Sequence, residues 1–187
     1  MPAKIVWGIT GSGDLISEVF SVMAELAQEK ELEITAVLSK AAVTVLNWYK
    51  LKDKLQSIAK KVFIEEDANT PFIVGPLQTG QFDCLLVAPA TANTVAKVVN
   101  GIADTIITNA ISQTNKTNIN IYILPVDQKK GTTITTLPGG KKLELTMRDV
   151  DVENTNKLRE MKGITTLTSP GEIKSFIRNY IKKHNNY

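Results

Sequence analysis

The sequence predicts an α/β fold: a three-layer α/β/α sandwich on a mostly parallel sheet, with a β-hairpin in its C-terminal half. Three observations carry this. Short apolar runs closed by small or turn-forming residues have the character of buried strands. Between them lie segments whose apolar positions recur at helical spacing. The two kinds alternate along the chain, which puts helices on both faces of a parallel sheet. The 187 residues show no internal repeat and no low-complexity linker, so residues 1–187 are expected to form a single domain.

The elements follow in order. Ile5 to Ile9 is a compact apolar strand, and Thr10-Gly11-Ser12-Gly13-Asp14 is a turn. Leu15, Val19, Val22, Met23, Leu26 and Ala27 mark a helix over 15–29. Glu33 to Leu38 is a second strand ending at Ser39, followed by a helical region from about Ala41 to Lys60 and a short strand at Val62 to Ile64. Asp83 to Ala88 is a buried strand closed by Pro89. Ala92 to Val99 is a helix, and another starts near Asp104. Ile119 to Leu124 is the fifth strand. Thr132 to Leu137 and Lys142 to Thr146, rich in β-formers, flank Pro138-Gly139-Gly140 as a hairpin. Asp151 to Met161 is a polar helix stopped by Gly163, and Ile164 to Leu167 a short strand. Ser169-Pro170-Gly171-Glu172 opens the last helix, with Ser as cap, Pro at the first helical position and Glu as reciprocal partner.

Composition narrows the function classes. The net charge of +3 is modest, and the lysines at 52, 54, 60, 61, 129, 130, 182 and 183 are expected on solvated helix faces and loop ends. They are not interleaved with aromatics as a nucleic-acid face requires, so no nucleic-acid partner is expected. No apolar stretch reaches the roughly 20 residues of a membrane span, and the N-terminus lacks a signal peptide's apolar region; a cytoplasmic protein is expected. Cys84, the one cysteine, lies in the apolar run CLLVAPA and is expected to be a small core residue. One thiol can neither close an internal disulfide nor build a zinc or iron–sulfur site, so no metal centre is expected. The lysine-, asparagine- and isoleucine-rich composition suits a thermophilic or AT-rich archaeon.

In a parallel sheet of this kind ligands bind at the carboxyl ends of the strands. Three segments fall there. Gly8-Ile9-Thr10-Gly11-Ser12-Gly13 joins the first strand to the first helix; glycines admit close approach of an anion, and the helix start offers free N–H groups. It is neither the G-x-G-x-x-G fingerprint nor a Walker loop, and a plain tight turn is the alternative. Ser39 ends the second strand, where it either faces a ligand or caps the next helix. The densest segment is Ala88-Pro89-Ala90-Thr91-Ala92-Asn93-Thr94-Val95-Ala96-Lys97, whose small residues let a flat ring lie against the backbone while Thr91, Asn93 and Thr94 offer hydrogen bonds. An ordinary capped helix is its alternative.

Pro89-Ala90-Thr91-Ala92-Asn93-Thr94, with Ala96-Lys97 and Gly101-Ile102-Ala103-Asp104 behind it, resembles the flavin motif of the flavoprotein superfamily of homo-oligomeric flavin-containing cysteine decarboxylases. Gly11-Ser12-Gly13 sits where that superfamily has its phosphate loop, and Ser39 matches its serine after the second strand. The likeness runs from the first strand to about residue 125. The start from Trp7 to Gly13, with Leu124-Pro125-Val126-Asp127, is most similar to the branch of archaeoflavoproteins and dihydromethanopterin reductase-like proteins. The resemblance implies a Rossmann/flavodoxin-like sheet and an FMN cofactor. It places the phosphate on Gly11, Ser12, Gly13 and Ser39, and the isoalloxazine near Ala90, Thr91, Ala92, Asn93 and Thr94. Asn109 matches a position that reaches the cofactor in some relatives. It also implies a homo-oligomer, a trimer or a multiple of trimers, with FMN at subunit contacts; the hairpin around Pro138 is a candidate lid or interface element.

The decarboxylases of this superfamily use a histidine near the second helix and a later segment built on Pro, Asn and Met. Here the only histidine is His184, in the lysine-rich tail and expected at the surface, and residues 125–147 hold no Asn-Met pair. No other residue is a base poised near neutrality; Asp14 and Asp127 sit in ligand-facing loops. The expected function is therefore an FMN redox protein that accepts electrons from a ferredoxin-type donor and passes them to a small-molecule or protein acceptor, a pterin such as dihydromethanopterin among them. An FMN-dependent group-transfer enzyme, a phosphopantothenoylcysteine-type decarboxylase or flavin prenyltransferase, is the alternative. The basic loop residues Lys129 and Lys130 leave room for it, whereas Asn109 stands where a prenyltransferase has a phosphate-binding arginine.

Overall fold

The computed structural model describes residues 2–185, with side chains through residue 183. The elements run β1 (Ala3–Ile9), α1 (Ile16–Leu26), β2 (Leu32–Leu38), α2 (Lys40–Trp48), α3 (Lys52–Ile58), β3 (Lys61–Ile64), α4 (Val74–Gln78), β4 (Cys84–Ala90) and α5 (Ala92–Val99). There follow α6 (Ile106–Thr114), β5 (Asn120–Pro125), β6 (Thr132–Thr136), β7 (Lys142–Thr146), α7 (Asp149–Glu160), β8 (Ile164–Thr166) and α8 (Pro170–Asn185).

Six strands form one sheet in the order β3-β2-β1-β4-β5-β8, every neighbouring pair parallel. Strand order reverses between β1 and β4, and such a reversal opens a crevice at the carboxyl ends. β1 is apolar on both faces because both are covered. Ile5, Trp7 and Ile9 pack with α1, α2, α3 and α8, whereas Val6 joins the opposite layer of α4, α5, α6 and α7. Cys84 is fully buried in β4, and burial pushes its thiol far above the usual range. No described helix is long and apolar enough to cross a membrane.

The structure departs from the sequence reading in four places. The single helical region expected over residues 41–60 is two helices. α2 ends in a Schellman turn, with Leu51 N–H on Leu46 O at 2.8 Å and Lys50 N–H on Asn47 O at 3.1 Å. The left-handed residue of that turn is Lys50, φ 56°, rather than the glycine that would have announced it. α4 was unforeseen because Gly75 and Pro76 within it are turn residues elsewhere. β4 continues through Pro89 to Ala90; Pro89 offers no N–H, and the pairing with β5 shifts register between Val87 and Ala90. At the start of α8, Glu172 reaches back as expected, but to Thr168 N–H at 3.1 Å rather than to Ser169. The expectation for His184 lies outside the described side chains.

The crevice edge is sewn by one side chain. Thr10, almost wholly buried after β1, donates its hydroxyl to Pro89 O at 2.8 Å and accepts from Thr91 N–H at 2.9 Å. Trp7 Nε1–H on Ala88 O at 2.9 Å makes a second tie across the same strand pair. Thr10→Val keeps the shape and removes both hydroxyl bonds, leaving Thr91 N–H without its acceptor. It is expected to cost about 2 kcal/mol in urea unfolding, where an effect below about 0.5 kcal/mol would disprove the tie.

Candidate functional site

The β1–α1 loop and the β4–α5 junction form two walls of a cavity of about 440 Å³, within the usual range for small-ligand sites. Gly11, Ser12, Gly13 and Asp14 supply the first wall; Thr91, Ala92 and Asn93 supply the second. Val126 and Asp127, at the carboxyl end of β5, close one side, and Trp48 and Tyr49, at the end of α2, the other. A larger recess of about 540 Å³ lies at the amino ends of β1–β4, away from the strand ends that bind ligands in such sheets.

The glycines are needed because the loop is pressed against α2. A Cβ on Gly11 would stand 2.5 Å from the Ala41 Cβ, and one on Gly13 2.7 Å from the Tyr49 hydroxyl. Among the described residues, the N–H groups of Gly11, Gly13, Ala92 and Asn93 donate to no protein acceptor. The first turn of α5 adds the positive end of its dipole. Thr91 Oγ1 caps that helix on Thr94 N–H at 3.2 Å and leaves the two preceding N–H groups open. The chemistry of this donor set suits a phosphorylated ligand with a flat polar ring.

The neighbouring helix starts give their first N–H groups to a carboxylate. Glu65, buried after β3, accepts from Lys40 N–H at 2.9 Å and from Ile106 N–H at 3.0 Å, so one carboxylate serves the first turns of both α2 and α6. The sequence reading missed Glu65; nothing local marks it, since both partners are distant in the chain. Ser39 is a cap: its Oγ accepts from Ala42 N–H at 3.1 Å. Ala90 is fully buried in β4, and the Thr94 hydroxyl is held 3.0 Å from that of Thr91. Asn109, on α6, binds Ala68 O and Asn69 Oδ1 at 2.9 Å each and is not part of the cavity wall. Of the expected cofactor residues, Gly11, Ser12, Gly13, Thr91, Ala92 and Asn93 therefore meet at the cavity; Ser39, Ala90, Thr94 and Asn109 serve the frame around it.

The hairpin β6–β7 supplies a roof. Thr133 pairs with Leu145 and Thr135 with Leu143; these four, with Leu137 and Met147, face the cavity. Tyr49 anchors the roof by donating its hydroxyl to Thr136 O at 3.1 Å. Gly139 and Gly140, both at positive φ, form the tip. Trp48, Leu143 and Leu145 remain 58%, 38% and 41% exposed although they line the cavity, an apolar rim open to a further partner.

Two carboxyls face the same space. Burial raises Asp14 above the ordinary aspartate value, and it raises Asp127 with help from the charges of Asp151 and Asp14. Asp151 is itself held bidentately by Arg148, at 2.7 Å on each oxygen.

An all-parallel sheet with open backbone N–H groups in the crevice at its switch point, under a roofed cavity, is the architecture of a nucleotide-type cofactor-binding α/β protein. Residues 1–183 match the Flavoprotein family model, and the chain belongs to that family. An uncharacterized protein of Methanocaldococcus jannaschii is 51% identical over 179 residues, 96% of each chain. Dihydromethanopterin reductase (acceptor) of the same organism is 34% identical over 233 aligned residues, 92% of this chain and 95% of the reductase. That alignment is longer than the 187 residues here, so the reductase carries inserted segments that this chain lacks. Among solved structures, Burkholderia xenovorans DmrB in complex with FMN, described as a cubic protein cage for redox transfer, superposes with a TM-score of 0.82 at 29% identity, covering 98% of this chain and 97% of DmrB.

A raised carboxyl has a consequence for stability. Its contribution is fully present below the ordinary value of 3.8 and is lost as pH rises through the raised folded-state value. Asp127→Asn is therefore expected to raise the urea midpoint relative to the parent at about pH 7 and to leave it nearly unchanged at about pH 3. A gain of equal size at both pH values would show that charge is not its cause.

Proposed function

We propose that this chain holds FMN in the crevice and works as a redox flavoprotein, taking electrons from a ferredoxin-type donor and passing them to an acceptor of the dihydropterin class. The observation that carries the reading is the pair of facing backbone walls, Gly11 to Gly13 and Thr91 to Asn93, with open N–H groups, locked together by Thr10. The phosphate would take the loop N–H groups; the Ser12 hydroxyl, which donates to Asp14 O and accepts from Asp14 N–H at 3.1 Å each, holds the loop's turn. The flat ring would lie against Thr91, Ala92 and Asn93 under the apolar inner face of β6–β7. Ser39 enters by fixing the start of α2 against Gly11. Bound flavin supplies two-electron chemistry that can be loaded one electron at a time; the chain orients it and keeps water off one face.

The donor assignment rests on the resemblance and on composition. With Cys84 alone and buried, this chain has no thiolate set for an iron–sulfur cluster of its own, so single-electron supply falls to a partner. The acceptor assignment rests on the two dihydromethanopterin reductases, of Methanocaldococcus jannaschii and Methanosarcina mazei, at 34% and 29% identity. A homo-oligomer built on trimers accords with the apolar rim of Trp48, Leu143 and Leu145, and with DmrB: a cubic cage is organised around threefold axes.

The test is an anaerobic spectrum of the purified protein during titration with reduced ferredoxin. A yellow protein bleached by ferredoxin, and reoxidised by dihydromethanopterin, is the expected result. A yellow protein indifferent to ferredoxin would return the case to group transfer, and a protein that cannot be loaded with FMN would end the reading. Asn93→Ala is expected to weaken FMN retention by about tenfold, the loss of one or two hydrogen bonds, measured by equilibrium dialysis.

A further inference from the structure

We propose that Asp127 is the acid of this site, delivering the proton that completes reduction of the acceptor's C=N bond. The inference rests on the redox reading above and adds the residue that reading leaves out: a dihydropterin needs a proton at nitrogen as well as a hydride at carbon, and no histidine is among the described residues that line the cavity. Three carboxylates lie in this part of the fold, and their partners separate them. Asp151 is committed to Arg148 through both oxygens. Asp14 accepts from Leu15 N–H at 3.1 Å, a bond that favours its ionised form. The Asp127 carboxyl has no hydrogen bond or ion pair among the described residues, and it is half-buried in the cavity wall. Its backbone is nonetheless held, by Thr155 Oγ1–H on Asp127 O at 2.7 Å and by Val126 N–H on Ala90 O at 3.1 Å. The carboxyl is thus fixed at its root and free at its tip, at the end of β5 and beside the wall that carries Asn93.

The charged groups around it favour the protonated form. Asp14 faces it from the β1–α1 loop and Asp151 from α7, both raising its pKa beside the larger effect of burial; Arg148 opposes them but is engaged by Asp151. Of the lysines that follow in the chain, Lys130 is paired with Asp149 at 2.8 Å. In the step itself a hydride from reduced flavin forms the new C–H bond, the C=N π pair moves onto nitrogen, and the Asp127 proton makes the N–H bond. Asp127 is left as carboxylate and the flavin oxidised; water at the open rim between Trp48 and Leu145 returns the proton.

The experiment compares the FMN-loaded parent, Asp127→Asn and Asp127→Glu, with dihydromethanopterin as acceptor. In the parent, kcat should fall as pH rises through the acid's pKa. In Asp127→Asn, kcat should drop by about a hundredfold with KM little changed, and the alkaline limb should vanish. Asp127→Glu should restore the limb. Independently of turnover, carbon NMR of aspartate-labelled holoprotein should show one carboxyl titrating above the ordinary range that Asp127→Asn lacks. FMN content and reduction by dithionite should match the parent in both variants. Full kcat and an unchanged pH profile in FMN-replete Asp127→Asn would overturn the proposal while leaving the redox function intact. Loss of FMN in both variants would also overturn it, making Asp127 a retention residue. A loaded parent that does not reduce dihydromethanopterin would remove both the acceptor assignment and the acid that serves it.

Discussion

The crevice depends on the hydroxyl of Thr10. It sits where the strand order reverses, the one place in a parallel sheet where two neighbouring strands send their following helices to opposite faces and leave a gap. A gap of this kind exposes backbone on both sides, and without a tie the two edges would be free to drift. Thr10 spans them by donating to Pro89 O and accepting from Thr91 N–H. Both walls of the cavity begin within a residue of that tie, so their spacing is inherited from it. The buried Trp7 indole makes a second tie across the same strand pair, three residues before Thr10 on β1 and one residue before Pro89 on β4.

Around this frame the fold chooses which helix starts remain available to an anion. Each helix begins with N–H groups that lack partners, and α2, α5 and α6 all start near the carboxyl edge. Glu65 neutralises two of them at once by placing one carboxylate between Lys40 N–H and Ile106 N–H. The start of α5 and the glycine loop opposite have no such carboxylate on their N–H groups. Asp14 and Asp127 line the same cavity.

The hairpin gives the cavity its roof and accounts for an imbalance in exposure. A two-stranded ribbon is not stable by itself, and β6–β7 is held chiefly by its inner face and by the Tyr49 anchor. Its inner residues alternate with period two, threonine on one strand opposite leucine on the other. Leu143 and Leu145 are nevertheless still partly exposed, as is Trp48 across the rim, so the isolated chain leaves apolar surface that a ring or a neighbouring subunit would cover. The dihydromethanopterin reductase of Methanocaldococcus jannaschii has additional inserted segments; this chain keeps the shared domain without them.

The sequence by itself determined the layer architecture, the parallel sheet and the two loop segments that wall the crevice, because each is written in local patterns. Apolar runs of strand length, helical spacing and the Gly11-Ser12-Gly13 and Pro89-to-Thr94 segments are legible without knowing what they touch. The β-formers flanking Pro138-Gly139-Gly140 likewise announced the hairpin; which of its side chains face the cavity they did not show. Tertiary structure alone decided which of those residues share a cavity. Ser39 and Asn109 carry polar groups suited to a ligand, yet the Ala42 N–H and the Ala68–Asn69 loop claim them first, and such competition is invisible along the chain. The break at Lys50 was hidden because a lysine took the left-handed position that glycine usually holds. Glu65 was hidden because its two partners lie 25 and 41 residues away. The standing of Asp127 was likewise out of reach: a carboxyl's readiness to hold a proton depends on burial and on the charges of distant residues, which only the fold brings together.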